Sequence, residues 1–247
     1  MSPFDPTGVR GTPFRAPLVP PLPLRLRRTE ILTIVYATDA EAADALVPEP
    51  LRLAAPRAVA HVYWMHDADW LGVYGESALQ LPVELPDGRP GTYSPFLVLG
   101  SDGGVATGRE LYGQPKKQGT VTLGVRGDLL VGVVERNGID VLTATMCWKQ
   151  ERADEGALDT LVPGCDLNVN LRVLPLESGR FRRELVARSF EDVVQHEAWR
   201  GPGTLELRPN AQAPFHLVPV RRVELALHRI VDLTLPLGTV VHRYPDG

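Results

Sequence analysis

Short apolar, β-branched runs follow one another along this chain, and turn residues cut nearly every one of them off before a long helix can form. The clearest is Ile31-Leu32-Thr33-Ile34-Val35-Tyr36, stopped by Ala37-Thr38-Asp39. The same pattern predicts strands over Ala58–Trp64, Gly72–Val83, Thr92–Leu99, Gly119–Gly127, Leu129–Glu135, Asp140–Lys149 and Asn168–Val173. Further strands are predicted over Arg183–Ala187, Leu205–Leu207, Val220–Val231 and Thr239–Tyr244. Asp87-Gly88, Asn137-Gly138, Ser178-Gly179 and Gly201-Pro202-Gly203 supply reversals. Asn137-Gly138 between two apolar runs marks a tight hairpin, whose central residues need positive φ. Helix is predicted over 40–46, with Asp39 as its cap, and over about 103–112 and 189–195. Many strands and few helices in one uninterrupted domain give a β-rich α+β fold, built as an antiparallel barrel or sandwich.

Residues 1–24 hold Pro3, Pro6, Pro13, Pro17, Pro20, Pro21 and Pro23 and form an extended arm; residues 25–247 carry the domain. Hydrophobic residues at 44% provide a core, and charged residues at 23% are interspersed in sign, as on a solvated surface. A formal charge of −4 leaves no basic excess for phosphates, so nucleic acid is not expected as a partner. The N-terminus has only proline-broken apolar stretches such as Ala16 to Leu24, which predicts neither signal peptide nor membrane anchor and a cytoplasmic location. Cys147 and Cys165 lie apart without metal-ligand spacing and are read as buried small hydrophobes. No P-loop, GxGxxG or zinc-like spacing occurs, and no cofactor or metal is expected.

Gly108-Arg109-Glu110-Leu111-Tyr112-Gly113-Gln114-Pro115-Lys116-Lys117 is the most informative stretch. A lysine attacks a carbonyl only as the neutral amine, so its reference pKa of ~10.4 must be brought down by desolvation or a nearby cation. On a strand, Lys116 and Lys117 point to opposite faces, so one can enter an apolar pocket while the other does not. Repulsion between ammonium groups so placed is only about 1–2 kcal/mol, which makes desolvation the larger effect. Spacing alone does not distinguish the pair from two solvated surface lysines.

Gly-Arg-Glu-Leu followed after three residues by Pro-Lys-Lys resembles the signature of the acetoacetate decarboxylase family, whose namesake is the general example of a lysine activated by its surroundings. The similarity continues in order along the chain. It takes in Ile34-Val35-Tyr36 with Thr38-Asp39, Val47-Pro48-Glu49-Pro50-Leu51, and Met65-His66-Asp67. Leu71-Gly72 with Tyr74 and Glu76-Ser77, Thr143-Ala144-Thr145-Met146, His196-Glu197-Ala198-Trp199 and Ala213-Pro214 follow. The resemblance implies an antiparallel cone with an interior lysine, self-association into a homo-oligomer, and small oxo-acid substrates. It makes Lys116 the Schiff-base lysine, Lys117 its neighbour and Glu76 the active-site glutamate. Arg109 and Glu110 are read as an ion-paired support for the loop, and His196-Glu197 and His66-Asp67 as packing and hydrogen-bonding residues rather than metal ligands.

Three positions depart from the family's decarboxylases. Thr29 stands where they resemble one another in having arginine, His61 where they have glutamate, and Gln114 where they have tyrosine. Arg27 and Arg28 flank Thr29, and Arg28 is the candidate replacement, although one step along a strand turns a side chain to the other face. With the lysine kept and these groups changed, the sequence favours aldolase-dehydratase chemistry. Lys116 would condense with pyruvate or a related oxo acid, and Glu76, with Tyr74, would draw off a methyl proton. The enamine would then add to an aldehyde and lose water. Gln114, Tyr74, Lys117, Arg28 and His61 are the expected substrate-binding residues. Decarboxylation of acetoacetate or another β-keto acid is the first alternative, and a non-catalytic ligand-binding barrel the second.

Overall fold

The computed structural model describes residues 16–154 and 156–245, of which the large majority in regular structure are β. Strands β1 (Leu24–Ala37), β2 (Arg52–Leu53), β3 (Arg57–Ala68), β4 (Gly72–Glu84) and β5 (Pro90–Leu99) open the chain, with a short helix α1 (Ala40–Asp44) after β1. Helix α2 (Asp102–Thr107) and a π-helical turn (Gly108–Tyr112) precede β6 (Lys116–Gln118). A meander follows: β7 (Thr120–Arg126), β8 (Leu129–Arg136) and β9 (Ile139–Cys147). Then come β10 (Glu151–Arg152), α3 (Ala157–Leu161), β11 (Asn168–Pro175), β12 (Phe181–Arg188), β13 (Glu191–Arg200), β14 (Gly203–Leu207), β15 (Arg222–Leu235) and β16 (Thr239–Arg243).

The strands form two sheets. The larger has twelve, along the order β10-β13-β15-β1-β3-β4-β5-β11-β12-β16, with β2 on β4 and β6 on β5; the smaller runs β14-β9-β8-β7. Pairing is antiparallel except where β6 and β11 meet β5 in parallel. The large sheet is not closed by hydrogen bonds among the described residues, so the expected barrel is an open, curled sheet. Six strand spacings separate β15 from β12, about 29 Å if the sheet were flat. Arg229 of β15 and Arg188 of β12 nevertheless line one small cavity, so the sheet bends into a cone around it.

Alternation assigns the two faces. Leu32, Ile34, Val62, Leu79 and Val98 pack against Val121, Leu130, Val134, Leu142 and Met146 of the smaller sheet in the largest core cluster. Each such side chain contributes roughly 1.5–3 kcal/mol by leaving water. The opposite face carries Ile31 and Met65 into a second cluster with Tyr74, Leu99 and Val231. Apolar residues on both faces explain why the central strands read as nearly continuous hydrophobic runs.

One expectation changes. Residues 191–200 are strand β13, not helix, because bulges at Glu191/Val194 and Gln195/Glu197, with Asp192 at φ 49°, break the two-residue alternation that identifies a strand. β1 begins at Leu24, directly after Pro23, the last proline of the arm, and residues 1–15 lie outside the described region. The Asn137-Gly138 hairpin is present, with φ of 55° and 79°. Among the described residues no helix is long and apolar enough to cross a membrane.

Candidate active site

Local constraints deliver Lys116 to its position. Ser101 caps α2 by accepting a hydrogen bond from the Gly104 amide, and the Thr107 hydroxyl donates back to the Gly103 carbonyl. The helix then widens into the π turn, a geometry that concentrates at functional sites, and ends at Gly113 with φ 72°. The Lys116 amide donates to the Gln114 carbonyl, and the chain enters β6 with Lys116 opposite Leu97. Arg109 fastens this loop by donating to the Lys116 carbonyl at 3.2 Å. Its expected ion pair with Glu110 does not form among the described residues. The Lys116 chain lies along Gly108, where a Cβ would overlap Cδ and come within 2.6 Å of Cε.

Lys116 is 8% exposed, and its Nζ lies 3.0 Å from each carboxylate oxygen of Glu76. Register explains the meeting. Glu76 pairs with Leu99 and Tyr63, Ala78 with Leu97 and His61, and Lys116 with Leu97, which puts Glu76 and Lys116 on the inner face of the two strands that flank β5. A cavity of about 40 Å³ at this ion pair is walled by Leu26, Met65, Leu97 and Leu235, with Tyr74 and Gln114 also present. The Gln114 amide donates to Asn168 at 3.2 Å. Burial, and then the Glu76 charge, push the Tyr74 phenol well above its ordinary range, so it is a hydrogen-bond donor and not the base that the sequence reading paired with Glu76.

A second chamber of about 50 Å³ adjoins the first, sharing Tyr63, Gln80, Arg188 and Phe190 with it. His61 belongs to this chamber and not to the lysine's. Burial and the nearby Arg229 charge lower its pKa to about 3, so it is neutral. Its ring bridges Thr33 at 3.0 Å and Gln80 at 3.2 Å. With Nε2–H donating to the Gln80 carbonyl oxygen, Nδ1 accepts from the Thr33 hydroxyl, a tautomer assigned from these partners.

Several expected binding residues lie elsewhere. Arg28 is exposed at a bulge with φ 53°, and its amide donates to Asp232 at 2.7 Å. The bulge turns the side chain out, so Arg28 does not replace the missing arginine. Arg27 pairs with Asp67 and Asp69. Thr29 is buried against the Met65 sulfur. Lys117 points away and donates to the Gln212 carbonyl at 2.6 Å. The cysteines are free but only half-buried; burial raises the Cys165 thiol to about 12, which keeps it protonated. His196 pairs with Asp232, and Glu197 with Lys149 and Trp199. No group of three or more His, Cys, Asp or Glu is placed to hold a metal among the described residues.

Sequence reading missed Arg188, Arg229, Gln80, Asn168 and Tyr63. Arg229 left a signal: it falls between Leu227 and Val231 at an inward position of an apolar strand, where a charge is out of place. Arg188 ends β12, beyond the strand predicted there, and no local pattern marks it.

A buried lysine held on a glutamate inside a β-cone places this chain in a known class. The sequence model for acetoacetate decarboxylase (ADC) matches residues 11–244. Acetoacetate decarboxylase 2 of Mesorhizobium japonicum is 41% identical, over 96% of this chain and 91% of that protein. The acetoacetate decarboxylase of Chromobacterium violaceum is 40% identical over 94% of each. Among solved structures, one from structural studies of acetoacetate decarboxylase superposes with TM-score 0.89 at 35% identity, covering 95% of this chain and 96% of the other. The acetoacetate decarboxylase of Legionella pneumophila gives 0.86 at 29%, covering 98% and 99%. An enduracididine biosynthesis enzyme, MppR, shares the fold at TM-score 0.78 and 20% identity, over 94% of this chain and 95% of that one. The chain belongs to the acetoacetate decarboxylase family. It is an enzyme of that family, a Schiff-base lyase.

Proposed function

We propose that this enzyme decarboxylates a β-oxo acid through an imine on Lys116. The observation that carries the proposal is the Lys116–Glu76 contact, 3.0 Å to both carboxylate oxygens in a buried pocket. Transfer of one proton across it leaves a neutral amine and a carboxylic acid. The amine attacks the substrate carbonyl and water leaves, forming a protonated imine. The bond to the β-carboxylate then breaks, its electron pair moves into the iminium to give an enamine, and carbon dioxide departs. Glu76 gave up its proton when water left; it takes another from solvent and delivers it to the enamine carbon, and water hydrolyses the imine to free the ketone and the lysine. The apolar walls from Leu26, Met65, Leu97 and Leu235 favour this direction, since they suit departing neutral carbon dioxide better than a carboxylate. Relatives at 40–41% identity that are named acetoacetate decarboxylase support it too.

Aldol addition and dehydration, which the sequence departures put first, uses the same lysine and glutamate. It is favoured by the neutral His61 and buried Thr29, which leave no charged pair at those two positions. Carbon dioxide released from acetoacetate, together with a borohydride-reduced adduct mapped to Lys116, supports decarboxylation. An adduct from pyruvate with no carbon dioxide from acetoacetate overturns it in favour of the aldol reaction. No adduct from either carbonyl compound returns the protein to the ligand-binding alternative.

A further inference from the structure

The second chamber has a composition the reaction at Lys116 does not use. Its wall holds Arg229, His61 and Asn168, and, on the boundary shared with the lysine's chamber, Arg188 and Gln80; His61, Gln80 and Asn168 are buried. Among the described residues neither guanidinium makes an ion pair or donates a hydrogen bond to a protein acceptor, and the Nε of each is buried without a partner. Arg188 lies over the Phe190 ring at 4.1 Å and within the field of Glu76. Neutral His61 takes the Gln80 carbonyl oxygen as its acceptor, which leaves the Gln80 amide N–H groups for the cavity. The one carboxylate on the wall, Asp166, is exposed at the rim. Forked N–H donors without acceptors are matched by a carboxylate, which accepts from both arms of a guanidinium.

We infer that this chamber is a subsite for a second carboxylate, so that the preferred substrate is a dicarboxylic oxo acid. The inference rests on imine formation at Lys116 and specifies which acid is brought there. A carboxylate bound on Arg229 is held in ground and transition state alike, so it must be one the reaction retains. The carboxylate that leaves lies at Lys116 beside Leu26, Met65, Leu97 and Leu235, with Arg188 on the boundary between the two chambers. In 3-oxohexanedioate the carboxylate β to the imine departs as carbon dioxide, and the distal one stays on the product, 4-oxopentanoate. Chambers as small as about 50 and 40 Å³ restrict the substrate to a short chain and exclude a long acyl group or a nucleotide.

The test compares kcat/KM for 3-oxohexanedioate with that for 3-oxohexanoate, a chain of equal length ending in methyl, after subtraction of spontaneous decarboxylation. Borohydride trapping of 4-oxopentanoate against 2-pentanone is measured in parallel and needs no decarboxylation. The wild-type protein is expected to favour the diacid and the oxo-carboxylate by about ten- to a hundredfold, the range for charge-assisted hydrogen bonds. Arg229→Met is expected to bring both ratios close to one, with Arg229→Lys in between. Wild-type ratios near one, or ratios that Arg229→Met does not move, overturn the subsite. Carbon dioxide from both acids with a ratio near one leaves the decarboxylation reading intact while the subsite fails. Preferential trapping of 4-oxopentanoate with no carbon dioxide from either acid does the reverse.

Discussion

At the scale of the residue, a lysine and a glutamate meet in the candidate site and a histidine stands in the chamber beside it. Lys116→Ala is expected to abolish both turnover and the borohydride adduct, as read by intact mass; full turnover in that variant would remove the imine from the mechanism. Glu76→Gln keeps the shape of the pocket but cannot accept and return a proton. It is expected to lower kcat by roughly 10²–10⁴, the usual contribution of a positioned acid-base group. His61 makes its own prediction. Its folded pKa of about 3 lies below the ordinary histidine value of 6.5, so between those two pH values the unfolded chain binds the extra proton and the folded one does not. Stability contributed by the neutral ring is therefore present above pH ~6.5 and falls as pH drops towards 3, by up to about 1.4 kcal/mol per unit. Urea midpoints between pH 7 and 5 should show that slope in the wild-type protein and a flatter one in His61→Asn.

At the scale of the element, the turn that presents Lys116 depends on two glycines for different reasons. An added methyl at Gly108 collides with the flexible Lys116 chain and not with backbone. Gly108→Ala should leave the melting temperature within a few degrees of wild type while kcat drops at least about tenfold, because the amine is displaced from Glu76. At Gly113 the φ of 72° is combined with Arg172 backbone so near that a Cβ would lie 2.5 Å from its Cα. Gly113→Ala should cost roughly 2 kcal/mol or more and be seen first in the denaturation midpoint. The Gly-Arg-Glu-Leu and Pro-Lys-Lys words were legible in the sequence because this turn is contiguous. The strand 191–200 was not, since its bulges erase the alternation, and neither was the outward turn of Arg28, which follows from a bulge between β1 and β15 that no local residue announces.

At the scale of the whole molecule, the strand that carries Glu76 is tied to the seam between the two sheets. Gly75 stands between Tyr74 and Glu76, and a Cβ there would run into the Val121 carbonyl of the smaller sheet. Gly75→Ala is expected to lower stability and kcat together, because the strand bearing Glu76 must lift from β7; a variant that lost neither would show the seam to be loose. The β-rich class and most strands were readable from hydrophobic pattern, and the lysine and glutamate from family resemblance. The curl that brings β12 to β15 was not readable, because it sums small twists over six strand spacings and leaves no mark on any one segment. That is why Arg188 and Arg229, 41 positions apart in sequence, escaped notice. The two-chamber pocket that results has a consequence for descent. Tyr74, Glu76, Gln114 and Lys116, at the end proposed to react, come from one stretch of the chain, whereas the far chamber adds Asn168 and Arg229 from later strands. A lineage can therefore exchange residues at the far end, generation by generation, and change its diet without relearning its chemistry.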